Sequence, residues 1–210
     1  MWPGDPGMDI DPSKLRTREV YALLTSLIVP RAIGFTSTKD ARGRLNVAPF
    51  SYFTGLGSDP PLVTLGIANK RDGSPKDTLR ALSETSVLCV NLVEEPIVAP
   101  MNQASGEYAA DVSEFEVTGL TPAPCAVIDC VRVRESRASL ECRVVDVHRY
   151  GRGAGVNLVV AEVVHVFLDD DIVCEGMAVV DPEKIRPVAR LGGTGYAKLG
   201  EIFHLERPKV

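Results

Sequence analysis

With 210 residues, 45% of them hydrophobic and 24% charged, the chain has the make-up of one globular domain, which excludes a disordered or fibrous protein. Its 23 basic and 28 acidic residues leave a formal charge of -5. That sign argues against general nucleic-acid binding, which needs a basic face to displace counterions from phosphates, but leaves room for a local basic pocket around one small phosphorylated ligand. The five cysteines form no C-x-x-C pair, and two lie in the apolar runs VLCVNLV and LECRVVDV, so neither a disulfide framework nor a zinc site is expected. No apolar run approaches the roughly 18 residues of a membrane span. The start, MWPGDPGMDIDPS, lacks the basic and apolar regions of a signal peptide. A cytoplasmic protein without membrane or nucleic-acid partners is expected.

Residues 1–13, rich in Pro, Gly and Asp, predict a loosely ordered arm ahead of a single domain over 14–210. Thr17 is placed to cap a helix over REVYALLTSLI, which must stop near Val29 because Pro30 follows. RAIGFTST (31–38) and RLNVAPFSYF (44–53) predict two strands joined by a turn at 39–43. Pro60-Pro61 breaks the chain before a strand at 62–68. A polar loop, NKRDGSPKDT (69–78), precedes a helix on TLRALSET with Asp77 as its cap, and SVLCVNLV (86–93) reads as a buried strand. PIVAPMNQAS (96–105) predicts a short helix interrupted by Pro100, and 106–135 shows no clear period. Long strands at 138–151 and 156–168, joined by the turn RGAG, predict a second hairpin. The tail at 181–205 mixes a helical turn, a Gly-rich loop and a last strand. Strands with short turns and occasional helices predict a mainly β barrel with peripheral helices rather than a doubly wound α/β fold.

The loop before the second helix carries the most chemistry. Arg71 and Lys76 set two cations beside a helix amino end whose free N–H groups favour an anion, Thr78 adds a hydroxyl, and Gly73 allows close backbone approach. That set could hold a phosphate monoester; the same residues also read as a solvated turn before an Asp-capped helix. Thr36, Ser37 and Thr38 either stabilise a turn or face a ligand. Asn46 and Ser51 flank VAPF, where Pro49 implies an edge or a bulge whose free N–H groups could meet a planar heterocycle. His148, His165 and His204 show no ligand spacing, so no metal is expected. RLGGTG (190–195) reads first as a tight turn, and Asp169–Asp171 as a solvated one.

Taken in order, VPRAIGFTST, LNVAPFSYF, DPPLVTLGI, SPKDTL, VNLV, SLECRVV and RLGGTGY resemble the flavin reductase-like family of FMN-binding split barrels over about residues 15–205. The resemblance implies a homodimeric, six-stranded antiparallel split barrel with FMN near the subunit interface. It further implies that Thr36, Ser37 and Thr38 line the flavin or its ribityl chain. Asn46, Val47, Ala48 and Ser51 would bond the isoalloxazine edge, and Arg71, Lys76, Asp77 and Thr78 the phosphate. Arg31, Phe53, Arg190 and Tyr196 are placed near flavin or substrate. Many two-component reductases of this superfamily carry a carboxy-terminal His and Arg motif near the nicotinamide. RLGGTGY stands in its place here, which weighs on NAD(P)H use more than on FMN binding.

The implied reaction is hydride transfer from C4 of NAD(P)H to N5 of the flavin, for which no catalytic side chain is required. A partner monooxygenase would receive the reduced flavin. An FMN-binding electron carrier or sensor, and a pyridoxamine phosphate oxidase-like enzyme, are the competing readings.

Overall fold

The computed structural model describes residues 7–109, 111–151, 154–176 and 178–209. Residues 1–6 of the expected arm and 152–153 of the expected RGAG turn lie outside them. Asp11 caps a 3-10 turn by accepting the Ser13 N–H at 3.0 Å. The first helix, α1 (Thr17–Leu27), starts one residue earlier than its expected cap allows. Arg16 is the N-cap, and Glu19 takes its main-chain N–H at 2.9 Å, so Thr17 is already helical.

Strands β1 (Gly34–Lys39) and β2 (Leu45–Phe50) form the expected hairpin, with Thr36 opposite Ala48 and Thr38 opposite Asn46. Asp40 closes its turn by accepting the N–H groups of Arg42 and Arg44 at 3.0 and 2.9 Å. The single strand expected over 44–53 is instead two. The chain turns a corner at Ser51 and Tyr52 and leaves as β3 (Phe53–Ser58), which pairs with β4 (Pro61–Ala68). PFSYF is apolar at every position but Ser51 and holds no Gly, Asn or Asp, so the sequence carries no mark of the corner.

Helix α2 (Asp77–Thr85) leads into β5 (Val87–Asn91). Next comes α3 (Val98–Gln103), which Pro100 does not interrupt, because it sits in the first turn where its missing N–H has no intrahelical acceptor. The segment without clear period holds α4 (Glu114–Thr118) and a small hairpin of β6 (Pro122–Pro124) and β7 (Val131–Val133), all too short for a period to register. The long hairpin follows as β8 (Ala138–Tyr150) and β9 (Val156–Leu168), and the tail adds β10 (Val188–Arg190) paired with β11 (Tyr196–Lys198).

The main sheet has seven antiparallel strands in the order β2-β1-β5-β8-β9-β4-β3, one more than expected because β3 was hidden in the corner. Its two edge strands are separated in the chain by Ser51 and Tyr52 alone, so the sheet must curl until its ends meet. The Gly66 N–H donates to Tyr52 O at 2.7 Å at that seam. Gly34 is required beside it, since a Cβ there would stand 2.9 Å from the Phe53 ring. Inside the curl Phe50, Leu65, Ile67, Leu82, Leu88 and Val159 form one core. Behind β1 and β2 a second core joins Phe35, Val47, Met101 and Phe115. No helix among the described residues is long and apolar enough to cross a membrane.

Candidate functional site

A cleft of about 1330 Å3 opens between α1, the β2–β3 corner and the near ends of β4, β8 and β9. Tyr21, Phe50, Tyr52, Phe53 and Tyr150 give it aromatic walls, and Arg31 and Lys76 are its charged groups. Among the described residues, no Asp, Glu or His lines it. A chain of net charge -5 therefore keeps this cleft, among the described residues, free of negative charge.

Four of the residues singled out in the sequence meet there: Arg31, Ser51, Phe53 and Lys76. Arg31 is 6% exposed and pairs with no carboxylate among the described residues. Its guanidinium donates to Thr25 O (2.7 Å) and Ile28 O (2.8 Å), orphan carbonyls at the end of α1, and to Leu191 O (3.0 Å); Nε leans on Ser51 Oγ at 3.4 Å. A cation at a helix carboxy end is favoured by the dipole, so Arg31 is both a cleft wall and the cap that fixes α1.

The RLGGTGY segment serves the same clamp. The backbone of Arg31 bridges that of Arg190, whose guanidinium lies 4.6 Å from the Tyr196 ring centroid and donates to Gly195 O at 2.8 Å. Gly192 lies against the last turn of α1, where a Cβ would come within 3.3 Å of the Ser26 Cα, and Gly193 needs its φ of +57°. Arg190 and Tyr196 thus order the tail under α1 and do not line the cleft.

At the other side, Lys76 sits at the amino end of α2 as an N-cap with no side-chain cap bond. Its ammonium is 5.7 Å from the Phe50 ring centroid and has no carboxylate partner among the described residues. Asp77 is not the cap expected of it but the first helical residue. It pairs with Lys70 (3.1 Å) and Arg80; burial pushes its carboxyl up, and these two cations outweigh that and hold it below the usual range. The first-turn N–H groups of α2 are therefore left without a side-chain acceptor. Arg71 is exposed on the 70–73 turn, outside the cleft lining.

The remaining predicted residues are interior. Thr36, Thr38, Asn46 and Ala48 share the face of the hairpin toward α2, whereas Ser37 and Val47 point the opposite way. Ser37 Oγ donates to Val131 O at 2.6 Å, and Val47 belongs to the rear core. Thr78, 1% exposed, lies 3.0 Å from the Asn46 amide. With that amide turned so that its oxygen accepts from Thr78, its nitrogen donates to Glu114 Oε1 at 3.3 Å, and Val47 N donates to Glu114 Oε2 at 3.3 Å. Burial, with Asp77 adding repulsion, pushes the Glu114 carboxyl up. Sequence reasoning missed Glu114 and the walls Tyr21, Tyr52 and Tyr150. Only α1 left a signal, in the helical spacing of Val20, Leu24 and Leu27.

Comparison with known proteins places this geometry. The chain is 38% identical, over 97% of its length and 98% of the relative's, to an uncharacterized protein of Halalkalibacterium halodurans. Its structure matches nitrilotriacetate monooxygenase component B from Bacillus cereus with TM-score 0.91 and 31% identity, covering 96% of this chain and 100% of that one. A Shewanella frigidimarina protein assigned as a flavin reductase with a split barrel domain matches with TM-score 0.83 and 28% identity, over 96% and 100%. The model of the flavin reductase like domain matches residues 26–183, well over half of the chain, and the protein belongs to that family.

Proposed function

We propose that the chain is an FMN-binding NAD(P)H:flavin oxidoreductase that holds its flavin in the 1330 Å3 cleft. The observation that carries this reading is the uncapped amino end of α2 beside the unpaired Lys76, at the rim of an aromatic-walled cleft without negative charge. Main-chain N–H groups of the first turn and the ammonium together suit a phosphate monoester, with Arg71 adding charge from the turn. The volume exceeds the roughly 300–1,000 Å3 of ordinary ligand sites, leaving room for a second ring against the first. Ser51 and the main chain of Asn46–Ser51 would bond the heterocycle edge, and Arg31 and Phe53 would flank it. Thr36, Thr38, Asn46 and Thr78 act from behind, fixing β1 and β2 against α2. When bound, the flavin supplies the hydride-accepting centre; this chain's residues orient the rings and exclude water, and no side-chain acid or base is needed.

The reading extends to a homodimer and to a curled six-strand barrel within the seven-strand sheet. Helix α1 buries one residue, Thr25, and exposes Tyr21, Leu24 and Leu27, a face that a second copy would cover while closing the cleft. The likeness to a monooxygenase component supports transfer of reduced flavin to an oxygenase partner in the cytoplasm.

Two measurements test this. Lys76→Ala should weaken FMN binding about ten- to a hundredfold, the loss of one charge-assisted contact, and leave riboflavin unchanged. Equal FMN affinity in both proteins removes the phosphate assignment. Stopped-flow mixing of FMN-loaded protein with NADH or NADPH without oxygen should bleach the flavin near 450 nm (roughly, a property of the free cofactor). Flavin that stays oxidised with both makes the protein a flavin carrier instead.

A further inference from the structure

Behind β1 lies a thiol cluster that flavin chemistry does not use. Cys89 on β5, Cys125 and Cys130 pack with Val87, Ile128 and Val164 into a small patch of their own. Cys142 belongs to the barrel core instead, and Cys174 lies in the 173–180 loop.

The hairpin β6–β7 sets Pro124 opposite Val131 and Ala123 opposite Arg132. One step further, the Cys125 N–H donates to Cys130 O at 3.1 Å, and at the other end Arg134 N–H donates to Thr121 O at 2.9 Å. The register of the hairpin therefore carries on to Cys125 and Cys130, which face each other across that one bond, while the Cys130 N–H donates to Ile128 O at 2.9 Å. Facing residues of an antiparallel hairpin hold their Cα atoms about 4.5–5.5 Å apart, inside the disulfide range of about 4.4–6.8 Å. The turn between the two is pinned, because the buried carboxylate of Glu141 accepts the N–H groups of Ala126 (2.7 Å) and Val127 (2.9 Å). Cys130 is 5% exposed, while Cys125 is half-buried and open to a small oxidant.

We propose that Cys125 and Cys130 are an oxidative modification site, joined into a reversible disulfide by hydrogen peroxide. The Cys125 sulfur attacks the peroxide O–O bond, forming S–O, and one oxygen leaves as water with the thiol proton. The Cys130 sulfur then displaces the second oxygen as water, forming S–S; two thiols are oxidised and one peroxide is reduced. Contact with Cys130 lowers the Cys125 thiol, but Cys89 and burial outweigh it and push it up; contact with Cys125, then burial, pushes Cys130 up. The pair thus reacts slowly and stays reduced until peroxide persists. Its closure would lock the layer that supports β1, where Val131 O accepts from Ser37 and Val133 N–H donates to Asn91 Oδ1 at 2.8 Å.

The test needs the intact, flavin-loaded protein, treated with hydrogen peroxide, alkylated and cut with both Asp-N and trypsin. That digest separates the three thiols into peptides 81–110, 111–128 and 129–132. The expected product links 111–128 to 129–132, lacks two hydrogens, and reverts with dithiothreitol. In Cys130→Ser, Cys125 should instead retain a sulfenic acid that dimedone traps. A link between 81–110 and 111–128, or no link at peroxide levels that already oxidise Cys174, overturns the proposal.

Discussion

The two longest helices are both amphipathic, yet they are used in opposite ways. Of the nine residues of α2, Thr78, Leu79, Ala81 and Leu82 are buried against the chain's own sheet. Of the eleven of α1, Thr25 alone is buried, and Tyr21, Leu24 and Leu27 are exposed. Apolar spacing thus marks a helix without saying what will cover its face. Packing holds α2 in place. A polar clamp holds α1: the Arg31 guanidinium on three carbonyls and the glycine-permitted approach of the 191–195 turn.

The largest expected effect sits on the packed helix. Leu82→Ala, at a position 3% exposed, should cost about 2–5 kcal/mol in urea unfolding, because the barrel core cannot close over the gap. Leu27→Asp, at 68% exposure, should change monomer stability by about 0.5 kcal/mol or less. In the proposed dimer it would place a charge in an apolar contact, so sedimentation should show a single chain where the parent protein shows two. Equal unfolding losses in the two variants would erase the contrast between the helices.

Arg31→Gln comes next, at about 1–3 kcal/mol, since it leaves buried carbonyls without donors. Its mark is spatial: hydrogen exchange should speed up together in α1 and in 190–196 and stay unchanged in α2. Faster exchange spread over both helices would show that the clamp is not local.

The same contrast explains what could be read before the fold was known. The long hairpin of β8 and β9, the hairpin of β1 and β2, and α2 each carry their period within one stretch of chain, so they were visible. The β2–β3 corner was not, because no Gly, Asn or Asp stands at Ser51-Tyr52 and the flanking residues are apolar, as they would be along one strand. The proposed phosphate end of the site is written locally, as cations before a helix start. Its walls come from Tyr21, Tyr52 and Tyr150, which are scattered in sequence and look like ordinary apolar positions until the sheet curls. Strand alternation also separates Ser37 from Thr36 and Thr38, so three consecutive hydroxyls cannot all face one ligand.

The smallest effect probes the polar filling between α2 and the hairpin. Burial raises the Glu114 carboxyl above its ordinary 4.5, so between that value and its native one the folded chain binds a proton that the unfolded chain has lost. Glu114 therefore adds stability at low pH that fades as pH rises through this window. Glu114→Gln keeps an acceptor for the Val47 N–H, and the Asn46 amide can turn to accept from the new side-chain nitrogen while donating to Thr78. The variant should match the parent below the window and melt higher above it. The difference should grow with pH and then level off, as followed by thermal melts in a buffer series. A constant offset at every pH would mean that Glu114 acts through shape alone, and that α2 is seated on the hairpin by packing without any contribution from charge.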